Sequence, residues 1–175
     1  TWRSSFLGLY RADYEELNGP ATVFGIPNNN LIDAFASGGV MRNIIVHPDT
    51  SNENILLIAT PKGIFRTSNG GYTWQQVLTG ASNGVNTILD TEFRGLAYHP
   101  VNPNIVYASG RSVYKSLDGG LTWTTIANTH NLPAAFNFIP SRINIAVSAA
   151  APHLLFVYGV KNGYAQLLKY NILNN

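Results

Sequence analysis

Two stretches of this chain are near-copies of each other, and that repetition limits the fold more than any other feature. Residues 42–77 read RNIIVHPDTSNENILLIATPKGIFRTSNGGYTWQQV, and residues 94–126 read RGLAYHPVNPNIVYASGRSVYKSLDGGLTWTTI. Arg42 aligns with Arg94, His47-Pro48 with His99-Pro100, and Trp74 with Trp123. A third copy opens at Arg142 as RINIAVSAAAPHLLFVYGVKNGYAQLLKY and keeps the opening arginine and the apolar rhythm before the pattern ends. A unit that recurs about every fifty residues does not bury its apolar surface alone; neighbouring units must stack.

Each unit divides into four runs of β character. In the first copy these are 43–47, 55–60, 63–67 and 73–78, separated by Pro, Asn, Asp and Gly. The first two runs are almost entirely apolar, as strands covered on both faces are, and the fourth mixes polar and apolar residues, as an outer strand does. No stretch repeats its apolar residues at the helical period, so little helix is expected beyond a short one near 11–17. Four strands per repeat of this length make the blade of a β-propeller. The expectation is an all-β partial β-propeller of four-stranded antiparallel blades, about three blades of a larger ring. Its blades fall at 42–78, 94–127 and, incomplete, 142–173, with residues 1–8 as the outer strand of a preceding blade. The Gly-, Pro- and Asn-rich stretches up to 41 and over 127–141 are connections.

The most specific pattern lies between the third and fourth runs. It reads Thr67-Ser68-Asn69-Gly70-Gly71-Tyr72-Thr73-Trp74 in one copy and Ser116-Leu117-Asp118-Gly119-Gly120-Leu121-Thr122-Trp123 in the other. The Asn or Asp side chain is suited to accept bonds from turn amides, and glycine supplies positive φ. The indole is suited to cover the hairpin and pack between blades. The pattern resembles the Asp-box, or bacterial neuraminidase repeat, of sialidase-like and sortilin-like propellers. That group includes sialidases, xyloglucan-cleaving hydrolases, a photosystem assembly factor and secreted proteins of Bacteroidota. The resemblance covers about 130 residues and implies a structural role for Thr67, Asn69, Gly71, Thr73, Trp74, Ser116, Asp118, Gly120, Thr122 and Trp123. It also implies a secreted or cell-surface protein of a Gram-negative bacterium, with type IX secretion as one route. Thr1-Trp2 looks like the tail of another such motif, so the chain start is expected to be a processing site or a cut in a longer protein.

Composition removes several classes. Charged residues make up only 11% and the net charge is +2, with no Lys/Arg-rich run. No nucleic-acid partner and no polybasic membrane patch are therefore expected. Cysteine is absent, so disulfides and thiolate metal sites are excluded. The longest apolar stretch, 143–160, is broken by Asn144, Ser148, Pro152 and His153 and does not read as a membrane span. No Asn-x-Ser/Thr sequon occurs in this Asn-rich chain, in keeping with a bacterial source.

Glycoside hydrolysis needs two carboxyl groups facing one bond. The candidates are Asp13, Glu15, Glu16, Asp33, Asp49, Glu53, Asp90 and Glu92. Asp90 and Glu92 precede the strand at Arg94, and their spacing aims both side chains the same way on an extended chain. Arg42, Arg94 and Arg142 open three inner strands and are expected at equivalent places on one rim. Sialidases hold a sugar carboxylate with an arginine cluster, because planar guanidinium fits carboxylate. With Asp90 and Glu92 these arginines form the candidate anion or carbohydrate site. The competing reading makes the arginines repeat-consensus covers of strand ends, and the acids a solvated pair. His47 and His99 read as turn residues before proline; His130 and His153 are isolated. HExxH, phosphate-loop and nucleophile-elbow patterns are absent from the sequence. No catalytic residue, metal or cofactor is expected. The first functional expectation is a non-catalytic binding or display module, completed by the rest of a longer chain or by another protein, with a glycan as ligand. The alternative is a fragment of a carbohydrate-active enzyme, sialidase-like or xyloglucanase-like.

Overall fold

The computed structural model describes residues 41–79, 93–126 and 140–172, together with the strand pair β1 (Tyr10–Arg11) and β2 (Thr22–Val23). The outer strand expected over 1–8 and most of the helix expected near 11–17 lie outside these residues. Arg11 itself belongs to β1, which pairs antiparallel with β2.

The first repeat forms a four-stranded sheet from β3 (Asn43–Val46), β4 (Leu56–Thr60), β5 (Gly63–Thr67) and β6 (Gln75–Thr79). The second forms another from β7 (Gly95–Tyr98), β8 (Val106–Ser109), β9 (Val113–Ser116) and β10 (Thr124–Thr125). The third gives a three-stranded sheet of β11 (Arg142–Val147), β12 (Leu154–Lys161) and β13 (Tyr164–Asn171). Every pairing is antiparallel between strands consecutive in sequence. This is the meander of a propeller blade, and the fold is a partial β-propeller. Asn162 (φ 49) and Gly163 (φ 85) make the two-residue turn between β12 and β13. Positive φ at both centres matches the right-handed twist of the flanking strands.

Alternation along the strands supplies two apolar faces per sheet. Leu57, Ala59 and Ile64 of the first sheet pack against Phe93, Leu96, Ala108 and Tyr114 of the second. Tyr107, Val113 and Ile126, on the other side of the second sheet, pack against Ile143, Leu155 and Val157 of the third. The first strands β3, β7 and β11 lie side by side. Backbone bonds stitch the blades together: Phe93 N donates to Thr60 O at 3.2 Å, and Ile143 N to Gly110 O at 2.8 Å.

The turns between third and fourth strands show why their residue types recur. Thr67 Oγ1 accepts from the amides of Asn69 and Gly71, and Asn69 Oδ1 accepts from Thr73 N at 3.0 Å. Asn69 Nδ2 donates to Thr73 Oγ1 at 2.9 Å. In the second copy Ser116 Oγ accepts from Gly120 N, while Asp118 accepts from the amides of Leu121 and Thr122 and from Thr122 Oγ1. Each indole closes its hairpin, Trp74 Nε1 donating to Gly71 O and Trp123 Nε1 to Gly120 O. Trp74 is 4% exposed against Ile58 and Phe65. Trp123 is half-buried against the core shared by the first two sheets. The turn also docks on its neighbour. A Cβ on Gly120 would lie 2.5 Å from Leu57 Cδ2, and Arg66 Nε donates to Gly119 O at 3.0 Å. Partial burial pushes the Asp118 carboxyl up, but the bonds from Thr122, Ser116 and Leu121 outweigh it and hold it at about 2.

Three predictions follow from this geometry. Trp74→Ala should cost about 3–5 kcal/mol in urea melts, the range for deleting a large buried aromatic, and Trp123→Ala less. Gly120→Ala should be costlier than Gly119→Ala by about 1 kcal/mol, because both have positive φ but only Gly120 meets Leu57. Adding Leu57→Ala should erase that difference, and strict additivity would show that the two residues are not in contact. Because its folded pKa is depressed, Asp118 contributes stability that is complete above the ordinary carboxylate value of about 3.9. That contribution fades as pH falls through about 2. Asp118→Asn should therefore flatten the acid limb of the stability curve while leaving the fold intact, as Asn69 does in the first copy. Asn69→Asp should steepen it.

Candidate functional site

The expected site was the rim where first strands begin. Hairpin register decides which residues share a place there. Ile55, Ile105 and Leu154 each donate to the carbonyl three residues earlier, which aligns the second strands. Four residues on stand Ala59, Ser109 and Tyr158, whose cross-strand partners are Asn43, Gly95 and Asn144. The residues just before those partners are Arg42, Arg94 and Ile143. The expected equivalence of Arg142 with the other two is therefore corrected. Arg142 stands one position earlier, and a shift of one residue turns a side chain to the other face of its sheet. Ile143, fully buried against Tyr107, takes the place of the arginine in the third sheet.

All three arginines still lie at one end of the sheets. Arg42 and Arg142 are exposed and Arg94 is half-buried. The hairpins between second and third strands reach the same end and carry Lys62, Arg111 and Lys161. Sequence reasoning passed over these three, although each lies at or within two residues of the end of an apolar second strand in its repeat. Asp90 and Glu92 lie outside the described residues, as do Asp13, Glu15, Glu16, Asp33 and His130.

At the opposite end the polar groups hold turns. Asp49 caps the short 3-10 turn Thr50–Asn52, accepting from Ser51 N at 3.0 Å, and this bond with that of the Ser51 hydroxyl lowers its pKa. His47 Nδ1 accepts from Asp49 N at 3.1 Å, and His99 Nδ1 from the amides of Val101 and Asn102. In this geometry the ring proton sits on Nε2, so both histidines act as the turn residues expected. His47 also meets Tyr98 edge-on, with ring centroids 5.3 Å apart. Burial pushes the Tyr98 phenol up to about 12, against the opposing charge of Arg66, and pushes Tyr107 to about 12 as well. Both phenols are thus neutral across the physiological range, which is unsuited to a nucleophile. Among the described residues, no three His, Cys, Asp or Glu side chains gather in a metal-holding group. No helix among them is long and apolar enough to cross a membrane.

Comparison with known proteins places the chain near one enzyme group. No protein-family model matches it. It is 32% identical over 96 residues to a xyloglucanase of Hypocrea jecorina (strain QM6a), a match covering 51% of this chain and 10% of that protein. Its fold is similar to the GH74 enzyme of Niastella koreensis, with a TM-score of 0.53 and 25% identity over 74% of this chain and 19% of that one. The fold also resembles the GH74 xyloglucanase of Xanthomonas campestris, with a TM-score of 0.53 and 18% identity, covering 77% of this chain and 21% of the other. The chain spans about a tenth of the curated relative and about a fifth of these solved structures. It is a partial β-propeller related to those of xyloglucanases.

Proposed function

We propose that this chain supplies blades to a propeller that acts on xyloglucan or a similar β-glucan. The observation that carries this reading is the 32% identity to a xyloglucanase over 96 residues. The fold match to a 25% identical GH74 enzyme supports it. The remaining blades come from a longer parent chain or from a partner. The turns around Asn69 and Asp118 are Asp-boxes in this reading, and they serve the fold. The parent protein works outside the cell, because a polymeric glycan does not cross a membrane. Attachment to a Gram-negative cell surface through type IX secretion is the finer form of that location.

The second reading is a module that binds a glycan without cleaving it. What favours it is the use made of two described acids. Asp49 and Asp118 are engaged as acceptors of turn amides and hydroxyls. Cleavage would then fall to Asp90, Glu92 or acids elsewhere in the parent protein. The parent polypeptide should be incubated with xyloglucan and the reducing ends counted. Release of new ends that survives Asp118→Asn supports the enzyme reading. Retention on xyloglucan without new ends supports the binding module. Neither retention nor cleavage rejects both.

A further inference from the structure

The junction between the first two sheets carries three polar side chains beside the turn at Gly119. Leu57 packs against the second sheet and lies directly across from Arg66, so the arginine faces that sheet as well. Ile45 also lies across from Leu57, and His47, two residues on, faces the same way. Tyr98 meets them from the second sheet. It packs on the same apolar cluster as Leu57 and stands edge-on to the His47 ring, with centroids 5.3 Å apart. The corresponding places between the second and third sheets hold Lys115 and Val147, so the pairing of guanidinium with phenol belongs to the first junction.

These side chains bring more donors to the junction than the described residues supply acceptors. Arg66 is half-buried and donates through Nε to Gly119 O at 3.0 Å. Its two Nη atoms have no acceptor among the described residues. The Tyr98 hydroxyl is buried and has no hydrogen-bond partner among them either. His47 accepts the Asp49 amide at Nδ1, so its ring proton lies on Nε2 and adds a donor. Asp49 and Asp118, on the adjoining turns, are engaged by turn amides and hydroxyls rather than by Arg66. Burial pushes the Tyr98 phenol up to about 12, and the Arg66 charge acts on it in the opposite sense. Buried polar groups are nearly always hydrogen-bonded, and an exception calls for a water or an ion. Water could satisfy the hydroxyl. A guanidinium held between packed sheets also lacks a counter-charge, and that favours an anion.

We propose that Arg66 and Tyr98 hold a small oxyanion, a phosphate, sulfate or carboxylate group, between the first two blades. The oxyanion accepts from the Nη atoms of Arg66, whose planar fork matches two of its oxygens, and from the Tyr98 hydroxyl. It ties the third strand of one blade to the first strand of the next, beside the bond from Arg66 to Gly119. The site is independent of the glycan reading above.

The test is calorimetric titration of the parent polypeptide with inorganic phosphate, sulfate and acetate, at an ionic strength held fixed with sodium chloride. Saturable binding of at least one is expected. Tighter binding of phosphate or sulfate assigns a tetrahedral oxyanion, and tighter binding of acetate assigns a carboxylate. Arg66→Gln should weaken binding at least tenfold, whereas Arg66→Lys, which keeps the charge, should retain part of it. Lys115→Gln, at the corresponding place in the second sheet, should change binding less than twofold. Thermal melts of Tyr98→Phe give a second measurement. Without oxyanion this variant should be at least as stable as the natural protein, because it removes an unpaired buried hydroxyl. In saturating oxyanion the natural protein should gain more in Tm than the variant, since binding stabilises the folded state by mass action. Should Arg66→Gln fail to melt cooperatively, the Tyr98→Phe comparison decides. No saturable binding of any of the three anions, or unchanged binding by Arg66→Gln, overturns the proposal. An equal loss of stability by Tyr98→Phe with and without oxyanion shows that water satisfies the phenol, and overturns it as well.

Discussion

Strands that are apolar on both faces must be covered on both faces, and the second sheet shows what that demands. Leu96, Ala108 and Tyr114 lie against the first sheet, and Tyr107 and Val113 against the third. Such a sheet has no face left for water, so its stability depends on neighbours on either side. The positions corresponding to Leu96 and Tyr98 in the first sheet are Ile44 and Val46, which are 41% and 52% exposed. On the far face of the third sheet Tyr158 and Leu167 pair across strands and are 39% and 63% exposed. The same strand pattern that buries one sheet leaves these residues at the outer faces of the stack. A propeller that continues on both sides would cover them.

Stacking also explains why the turn motif is so tightly specified. A hairpin at the edge of one blade has to fit against a strand of the next. Gly120 reaches Leu57 because it has no Cβ, and its positive φ of 87° is what brings its backbone there. Side-chain oxygens fix that backbone conformation. Ser116 and Asp118 take amide donors that no strand partner could satisfy, and Thr67 and Asn69 do the same in the first copy. Amide and carboxylate serve alike at this place because the essential contact is one oxygen accepting from the Thr73 or Thr122 amide. They differ at the second atom. Asn69 donates to the threonine hydroxyl, whereas Asp118 accepts from it.

The repeat made most of this legible. Strands expected at 43–47, 55–60, 63–67 and 73–78 are found at Asn43–Val46, Leu56–Thr60, Gly63–Thr67 and Gln75–Thr79. The reason is that punctuation by Pro, Asn and Gly is local, and the apolar runs between are long enough to be unambiguous. Alignment by residue identity failed at Arg142. Parity would have caught it. Leu96 and Tyr98 share one face of the second sheet, and in the third copy the matching alternation is Ile145 and Val147, with Arg142 out of phase. Arg66 was beyond sequence reasoning for a different cause: its partner, the Gly119 carbonyl, belongs to another blade. Only the stacking of the blades brings the two together.

Placement of charge follows from the same burial. Strand interiors such as Leu57–Thr60 and Val106–Ser109 are wholly buried, and an ion there would forfeit its hydration without a partner. Charged side chains are therefore displaced to the third strands, where Arg66, Lys115 and Lys169 stand, and to the two ends of the sheets. At one end they meet turns, which carry unsatisfied amides and thus recruit carboxylates such as Asp49 and Asp118 as acceptors. At the other end two-residue and three-residue hairpins close with backbone bonds of their own, as in Gly110 N to Ser112 O. Those hairpins do not require an acidic side chain; Lys62 and Arg111 stand in two of them, and Lys161 ends the strand that leads into the third. Asp49 and Asp118, as acceptors in turns, are thereby committed to holding the fold.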